Sequence, residues 1–264
     1  MSTGKQNGTS FHTHVEPEFF IIFKGSYTIS SGERDNEANS ILLNRFDFIA
    51  NPEYCFRTFQ SQDDDSCLFA GIPAYVAKQF FWHPNVIQDA KGRGLVLLEN
   101  NTLIDTTKGY EVPSNMKEMP LMSAEELEKH KILTTAELEG CTFRYNKAKW
   151  RHFFDGLEVI YALGPNDAKY TFELRKKINL NAYIFKLFNR KEIVLKNSHS
   201  AALIMFEGEV NITLHLEDGA HTIWVKPGDT LAIPQGVTYD LNLMTNEAQY
   251  YLLIANDYSE VLLV

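Results

Sequence analysis

The sequence states one pattern twice, and that repetition narrows the fold more than any other feature. Residues 18–29 (EFFIIFKGSYTI) are an apolar run, a glycine and an alternating run, and residues 201–212 (AALIMFEGEVNI) follow the same scheme. A second landmark trails each copy: residues 46–52 (FDFIANP) and residues 228–234 (GDTLAIP). Gly25 and Gly208 are 183 positions apart, while Asp47 and Asp229, like Pro52 and Pro234, are 182 apart. A near-constant offset over three landmarks implies two copies of one structural unit. Short strand-like runs punctuated by Gly and Pro imply sandwiches or barrels, so the fold class is all-β.

The second copy shows its strands most plainly. Val210–Leu216 and His221–Val225 alternate apolar and polar residues, with Asp218-Gly219 expected as the hairpin turn between them. Leu231 to Gly236 reads as a strand ending in a turn. Between the copies the pattern changes. Pro73 to Trp82 has helical spacing, and Ser123-Ala124-Glu125-Glu126 is a capping box opening a helix toward His130. The expected organisation is a first barrel over 1–72, a helix-containing linker over 73–140 and a second barrel over 141–264. Those helices are expected to buttress the barrels rather than carry chemistry.

With 264 residues, 44% of them hydrophobic and 12% aromatic, the chain can bury one large core or two modest ones. A formal net charge of -9 argues against a nucleic-acid partner, since nothing would offset phosphate repulsion across a broad face. The one basic cluster, Arg175-Lys176-Lys177, reads as a solvated strand end. Cys55, Cys67 and Cys141 are odd in number and widely spaced, as suits apolar fillers in a reducing compartment. The polar N-terminus shows no signal-peptide pattern, and no apolar run approaches the roughly 18 residues of a membrane span. A cytoplasmic location is therefore expected, with the sequons Asn100-Asn101-Thr102 and Asn211-Ile212-Thr213 unused.

The strongest chemical motif is His12-Thr13-His14, followed by Glu18 and, seven residues later, Gly25. Residues i and i+2 of a strand share a face, so His12 and His14 project to one side. Glu18, past the Pro17 kink, continues the inward set. Two imidazoles and a carboxylate converging inside a barrel make a 2-His-1-carboxylate triad, which leaves positions open for substrate and O₂ on a redox-active first-row metal.

The spacing H-x-H-x3-E-x6-G closely resembles the first motif of the cupin superfamily. Asp47, Pro52 and the residues up to Arg57 are similar to the second cupin motif, G-D-x4-P-x-G-x2-H. Residues 227–239 match that motif better. The segment from Gly71 to Trp82 resembles the helix that follows a barrel in quercetin 2,3-dioxygenase-like bicupins. The resemblance implies two tandem cupin (jelly-roll) barrels with a partly helical linker. It also implies strands ahead of the first motif, yet only 11 residues precede His12, so a trimmed first barrel is expected.

The departures are informative. Where the family has its fourth metal ligand, a histidine, this chain has Arg57; the turn glycine is Tyr54 and the leading glycine is Phe46. In the second barrel the ligand positions carry Leu195, Asn197, Ala201 and Tyr239, with His199 off register. That barrel is expected to hold no metal, with Tyr239 filling the vacated place. Arg57 is a planar, permanently charged fork that either pairs with Glu18 in place of a metal or binds an anionic substrate beside one. Phe20 falls on the inward parity of Glu18 and is a candidate for lining a substrate pocket. Trp82 and His83 are expected to pack, His130 and His152 to be exposed, and Phe19 with the Phe153-Phe154 pair to be core.

Two functions follow. The first is a cupin dioxygenase using Fe, Mn, Ni or Cu on an aromatic, flavonoid-like or polyketide-like enol or phenol, held by His12, His14 and Glu18. Glu18 accepts the substrate proton, and O₂ attacks the electron-rich carbon. The second is a metal-free cupin that binds, cyclises or isomerises a small organic anion through Arg57 and Glu18. Either way the partner is a small molecule, neither nucleic acid nor membrane, and a homodimer is compatible with both.

Overall fold

The structure, a computed structural model, describes residues 8–34, 38–72, 80–163, 180–189, 192–255 and 261–263. The chain divides into two compact units. One comprises Met1–Arg45 with Ile49–Thr142, the other Phe46–Phe48 with Phe143–Val264. The basic cluster Arg175-Lys176-Lys177 lies outside the described residues.

The first unit is built from β1 (His12–His14), β2 (Glu18–Lys24), β3 (Ser26–Ser31), β4 (Asn39–Asn44), β5 (Phe48–Asn51), β6 (Thr58–Ser61), β7 (Cys67–Gly71) and β8 (Phe80–Trp82). After these come α1 (Pro84–Gly92), β9 (Leu95–Leu97), β10 (Leu103–Asp105), α2 (Ala124–Leu127), α3 (Thr135–Gly140) and β11 (Thr142–Phe143). β2 lies between β5 and β7 in one sheet, and β3 lies between β4 and β6 in another. Phe19 to Ile22 of β2 are all buried, as expected of a strand covered on both faces. β3 instead alternates, turning Tyr27, Ile29 and Ser31 inward.

The second unit contains β12 (Arg151–Phe154), β13 (Leu157–Leu163), β14 (Leu180–Phe188), β15 (Glu192–Asn197), β16 (Ala201–Glu207), β17 (Val210–Leu216), β18 (Gly219–Val225), β19 (Thr230–Ile233), β20 (Thr238–Leu243), β21 (Glu247–Ala255) and β22 (Val261–Leu263). They form a six-stranded sheet, β12-β13-β14-β21-β16-β19, and a five-stranded one, β18-β17-β20-β15-β22. Val159, Phe185, Met205, Ile212, Leu241 and Tyr250 belong to the core cluster to which both sheets contribute. Asp47 is bound within this unit: its carboxylate accepts from the Tyr145 N–H at 2.9 Å and pairs with Arg144 at 3.0 Å.

The internal repeat is visible in the backbone. Gly25 joins β2 to β3 at φ 69°, and Gly208 joins β16 to β17 at φ 71°. A Cβ at either position would run into Ser66 Oγ or the Glu247 carbonyl, so both space and dihedral require glycine. The second-motif glycines of the second barrel, Gly228 and Gly236, have φ 94° and 73°. Their counterparts Phe46 and Tyr54 keep left-handed φ, 67° and 52°, without being glycine. Each is strained by about 1–2 kcal/mol. Phe46 offsets its strain by stacking between Tyr145 and Phe206 at centroid distances of 4.6 and 4.5 Å.

Several expectations need correction. The helix read over Pro73–Trp82 falls mostly outside the described residues, and its described end, Phe80–Trp82, is strand β8. Three residues are too few to show a period, so the neighbouring apolar residues suggested the wrong one. The β17–β18 turn is Glu217-Asp218, one residue earlier than read, with Gly219 opening β18 at φ 136°. His130 is not exposed; it is half-buried against Tyr54, Phe56 and Phe81. The capping box at Ser123 and Glu126 does form, but α2 runs only to Leu127. Thr134 and Glu137 make a second such box that starts α3. Cys55 and Cys141 are buried, Cys67 is partly so, and all three are free thiols.

Residues 131–133 do more than connect. Lys131 N–H donates to the Tyr54 carbonyl at 2.7 Å, and Phe56 N–H donates to the Lys131 carbonyl at 3.0 Å. The Ser31 hydroxyl accepts from Leu133 N–H at 2.9 Å and donates to the Phe56 carbonyl at 2.7 Å. This strap holds the chain segment that carries Arg57.

Candidate metal and anion site

β1 is flanked on both sides. On one, β8 pairs antiparallel with it, placing His12 opposite Trp82 and His14 opposite Phe80. On the other, His12 N–H donates to the Arg57 carbonyl at 3.2 Å and Arg57 N–H to the His12 carbonyl at 2.9 Å. Residues directly opposite across strands share a face, so Arg57, His12 and Trp82 stand in a row. Glu18, at the start of β2, joins them.

His12, His14, Glu18 and Arg57 are all buried, Arg57 completely. One ligand atom from each of His12, His14 and Glu18 lies within 4.8 Å of the others. His12 Nδ1 is 2.8 Å from the Ser10 carbonyl; since a carbonyl only accepts, Nδ1 carries the proton and Nε2 keeps its lone pair. His14 Nε2 is buried with no hydrogen-bond partner among the described residues, and its 3.7 Å approach to Glu18 Oε2 is too long for one. The two rings meet edge to face at 5.1 Å. Such a donor set, with one imidazole nitrogen orphaned, fits a divalent first-row metal.

Arg57 Nε donates to Glu18 Oε2 at 2.7 Å, and Nη1 donates to the Cys55 carbonyl at 2.9 Å. Nη2 has no partner among the described residues. Burial pushes the Glu18 pKa up, but the His14 imidazole and the Arg57 guanidinium outweigh it, and the net direction is down. Burial, above all, brings the His12 pKa down to about 4, so its ring is neutral at pH 7. Arg57 thus places a cation beside Glu18 that helps keep it ionised.

Phe20 is fully buried and packs edge-on against Phe59 at 5.2 Å, as core does. The aromatic neighbours of the histidines are instead Phe80, 4.2 Å from His14, and Trp82, 5.7 Å from His12. Sequence reasoning set Trp82 aside as packing. The usable signal was the alternation of Phe80 and Trp82, which puts both on one face.

The equivalent place in the second barrel is filled. Leu195 pairs with Tyr239 just as His12 pairs with Arg57. Tyr239 OH donates to Asn197 Oδ1 at 3.1 Å, and burial pushes the phenol pKa up. Leu195, Asn197, Ala201 and Tyr239 are all buried. His199 stands aside, its Nδ1 3.0 Å from Ser198 Oγ. Among the described residues His12, His14 and Glu18 are the one group of three with metal-ligand spacing.

No protein-family model and no curated sequence matches this chain. Solved structures do. Oxalate decarboxylase from Bacillus subtilis at pH 4.6 aligns with a TM-score of 0.62 at 12% identity, over 99% of this chain and 68% of that one. A second structure of the Bacillus subtilis enzyme, described for its Mn(II) centres, gives 0.61 at 12% identity, over 99% and 69%. A third oxalate decarboxylase structure, described for an element that modulates proton-coupled electron transfer, gives 0.64 at 11% identity, over 100% and 69%. At such identities the likeness is one of fold: tandem cupin barrels. No helix among the described residues is long and apolar enough to cross a membrane.

Proposed function

We propose that the first barrel is a metal-dependent cupin centre, of the dioxygenase type, acting on a small enol or phenol. The observation that carries this reading is the buried, partnerless His14 Nε2 beside the free Nε2 of His12 and the Glu18 carboxylate. His12, His14 and Glu18 would hold the metal, which supplies redox and Lewis-acid chemistry when bound. The chain's own residues set the rest. His12 is neutral and Glu18 ionised at pH 7, so protons compete little with a cation for these two. Pairing with Arg57 weakens Glu18 as a base, so it takes a proton only from an acidic hydroxyl. An enol or phenol is such a group, and Arg57 lies close enough to Glu18 to share the charge that develops. The resemblance to quercetin 2,3-dioxygenase-like proteins and the Mn(II) centres of the structurally similar oxalate decarboxylase both favour a metal, Mn among Fe, Ni and Cu.

One observation favours a second reading. The 2.7 Å Arg57–Glu18 pair already neutralises the site, as a metal-free binding or isomerising cupin would require. Elemental analysis after reconstitution separates the two. Near-stoichiometric Mn, Fe, Ni or Cu in the wild type, lost in His14→Ala, supports the metal centre. Background metal in both proteins hands the site to the metal-free reading. Oxygen uptake with a flavonol then tests the dioxygenase.

A further inference from the structure

Three buried nitrogens on β1 and its two neighbours lack partners among the described residues: His14 Nε2, Arg57 Nη2 and Trp82 Nε1. The first is a metal ligand in waiting. The other two can only donate, and they belong to the side chains on either side of His12 in the Arg57–His12–Trp82 row. Leaving two N–H groups unpaired in a buried row is costly, and water or a ligand oxygen relieves the cost. The wall behind them is aromatic. The Phe80 and Trp82 rings stack at 6.3 Å with 24° between their planes, and Phe80 is 49% exposed, so the wall runs from the row out to solvent.

We propose that Arg57 Nη2 and Trp82 Nε1 form a two-donor cradle for the oxygens of a planar aromatic oxyanion, with Phe80 and Trp82 as the face along which its ring enters. This deepens the reading of the first barrel as a substrate site but does not require the metal. Arg57 brings the charge; its Nε is spent on Glu18 and its Nη1 on the Cys55 carbonyl, which fixes the fork and leaves Nη2 available. Trp82 brings a neutral donor on a rigid ring. Selectivity follows from the pair: a small anion such as acetate satisfies the donors, while an aromatic one also covers Phe80.

Calorimetric titration of the full chain with salicylate and with acetate tests this, with metal content measured on the same samples. Trp82→Phe keeps the wall and removes the donor, so salicylate binding is expected to weaken about tenfold with metal content unchanged. Phe80→Ala, at an exposed position, is expected to weaken salicylate but not acetate, and it decides the matter if Trp82→Phe does not fold. Failure of wild type to bind salicylate, or equal affinity in wild type and both variants, overturns the cradle. The two readings fail separately: metal without salicylate binding defeats the cradle alone, and salicylate binding without metal defeats the metal centre alone.

Discussion

Arg57 stands opposite His12 as Tyr239 stands opposite Leu195, and it brings a permanent positive charge into a buried place. Its burial beside Glu18 gives two expectations. In Arg57→Ala, Glu18 stays buried with its strongest partner gone, and the loss is about 3–5 kcal/mol in urea denaturation. Arg57→His instead restores a nitrogen ligand and removes a repelling cation, so metal affinity should rise in competition titrations with a chelator. The pH response has a definite sign. His12 has a folded pKa of about 4 against 6.5 unfolded, so its contribution is complete above pH 6.5 and falls as pH drops toward 4. Glu18, with its folded pKa lowered from 4.5, adds stability that begins to fade below that value and is lost through its folded pKa. In chelator-treated protein the melting temperature should therefore fall between pH 6.5 and 4, and His12→Gln should flatten that slope; an unchanged slope would show that His12 is not the group titrating. The two histidines and Glu18 were legible in the sequence because strand parity is local. The role of Trp82 was not, since it depends on a three-residue strand pairing with another some 70 positions earlier.

The turns carry the memory of the repeat more faithfully than the strands do. Phe46 and Tyr54 hold backbone conformations that their sequence counterparts satisfy with glycine, so the barrel's geometry outlasted the residue that made it easy. At Tyr54 the cost can be isolated. Tyr54→Val places a β-branched residue at φ 52° and should be less stable than Tyr54→Gly by about 1–2 kcal/mol in thermal or urea unfolding. Equal stability of the two would mean that the turn relaxes to an ordinary conformation. The capping box at Ser123 was read because its partner lies three places on, the like box at Thr134 was not read, and the Glu217-Asp218 turn was misplaced by one. There the sequence offered Asp-Gly, but the strand register put the glycine after the turn.

The all-β class and the duplication were legible because the offset is a property of the chain alone. The sequence already put Arg57 in one barrel and Tyr239 in the other at the same place; what it could not show was that Arg57 Nε reaches Glu18 and that Tyr239 OH donates to Asn197. Metal is accordingly expected at one site per chain, with His14→Ala taking the content to background by elemental analysis. Tyr239→Phe should cost about 1–3 kcal/mol by unpairing buried Asn197 Oδ1, without changing metal content. The strap at 131–133 has a consequence for how such a chain can vary. Insertions and deletions accumulate where backbone is exposed and unengaged, and the stretch around Tyr110 is exposed, ahead of residues 117–119, which bond back to Leu97 and Glu99. Two residues of the same connection, Lys131 and Leu133, are bonded to Tyr54, Phe56 and Ser31, so one added residue there would slide every partner out of register. The join between the two copies thus tolerates length drift unevenly, and drift at residues 131–133 would be felt at Arg57 before it was felt in either core.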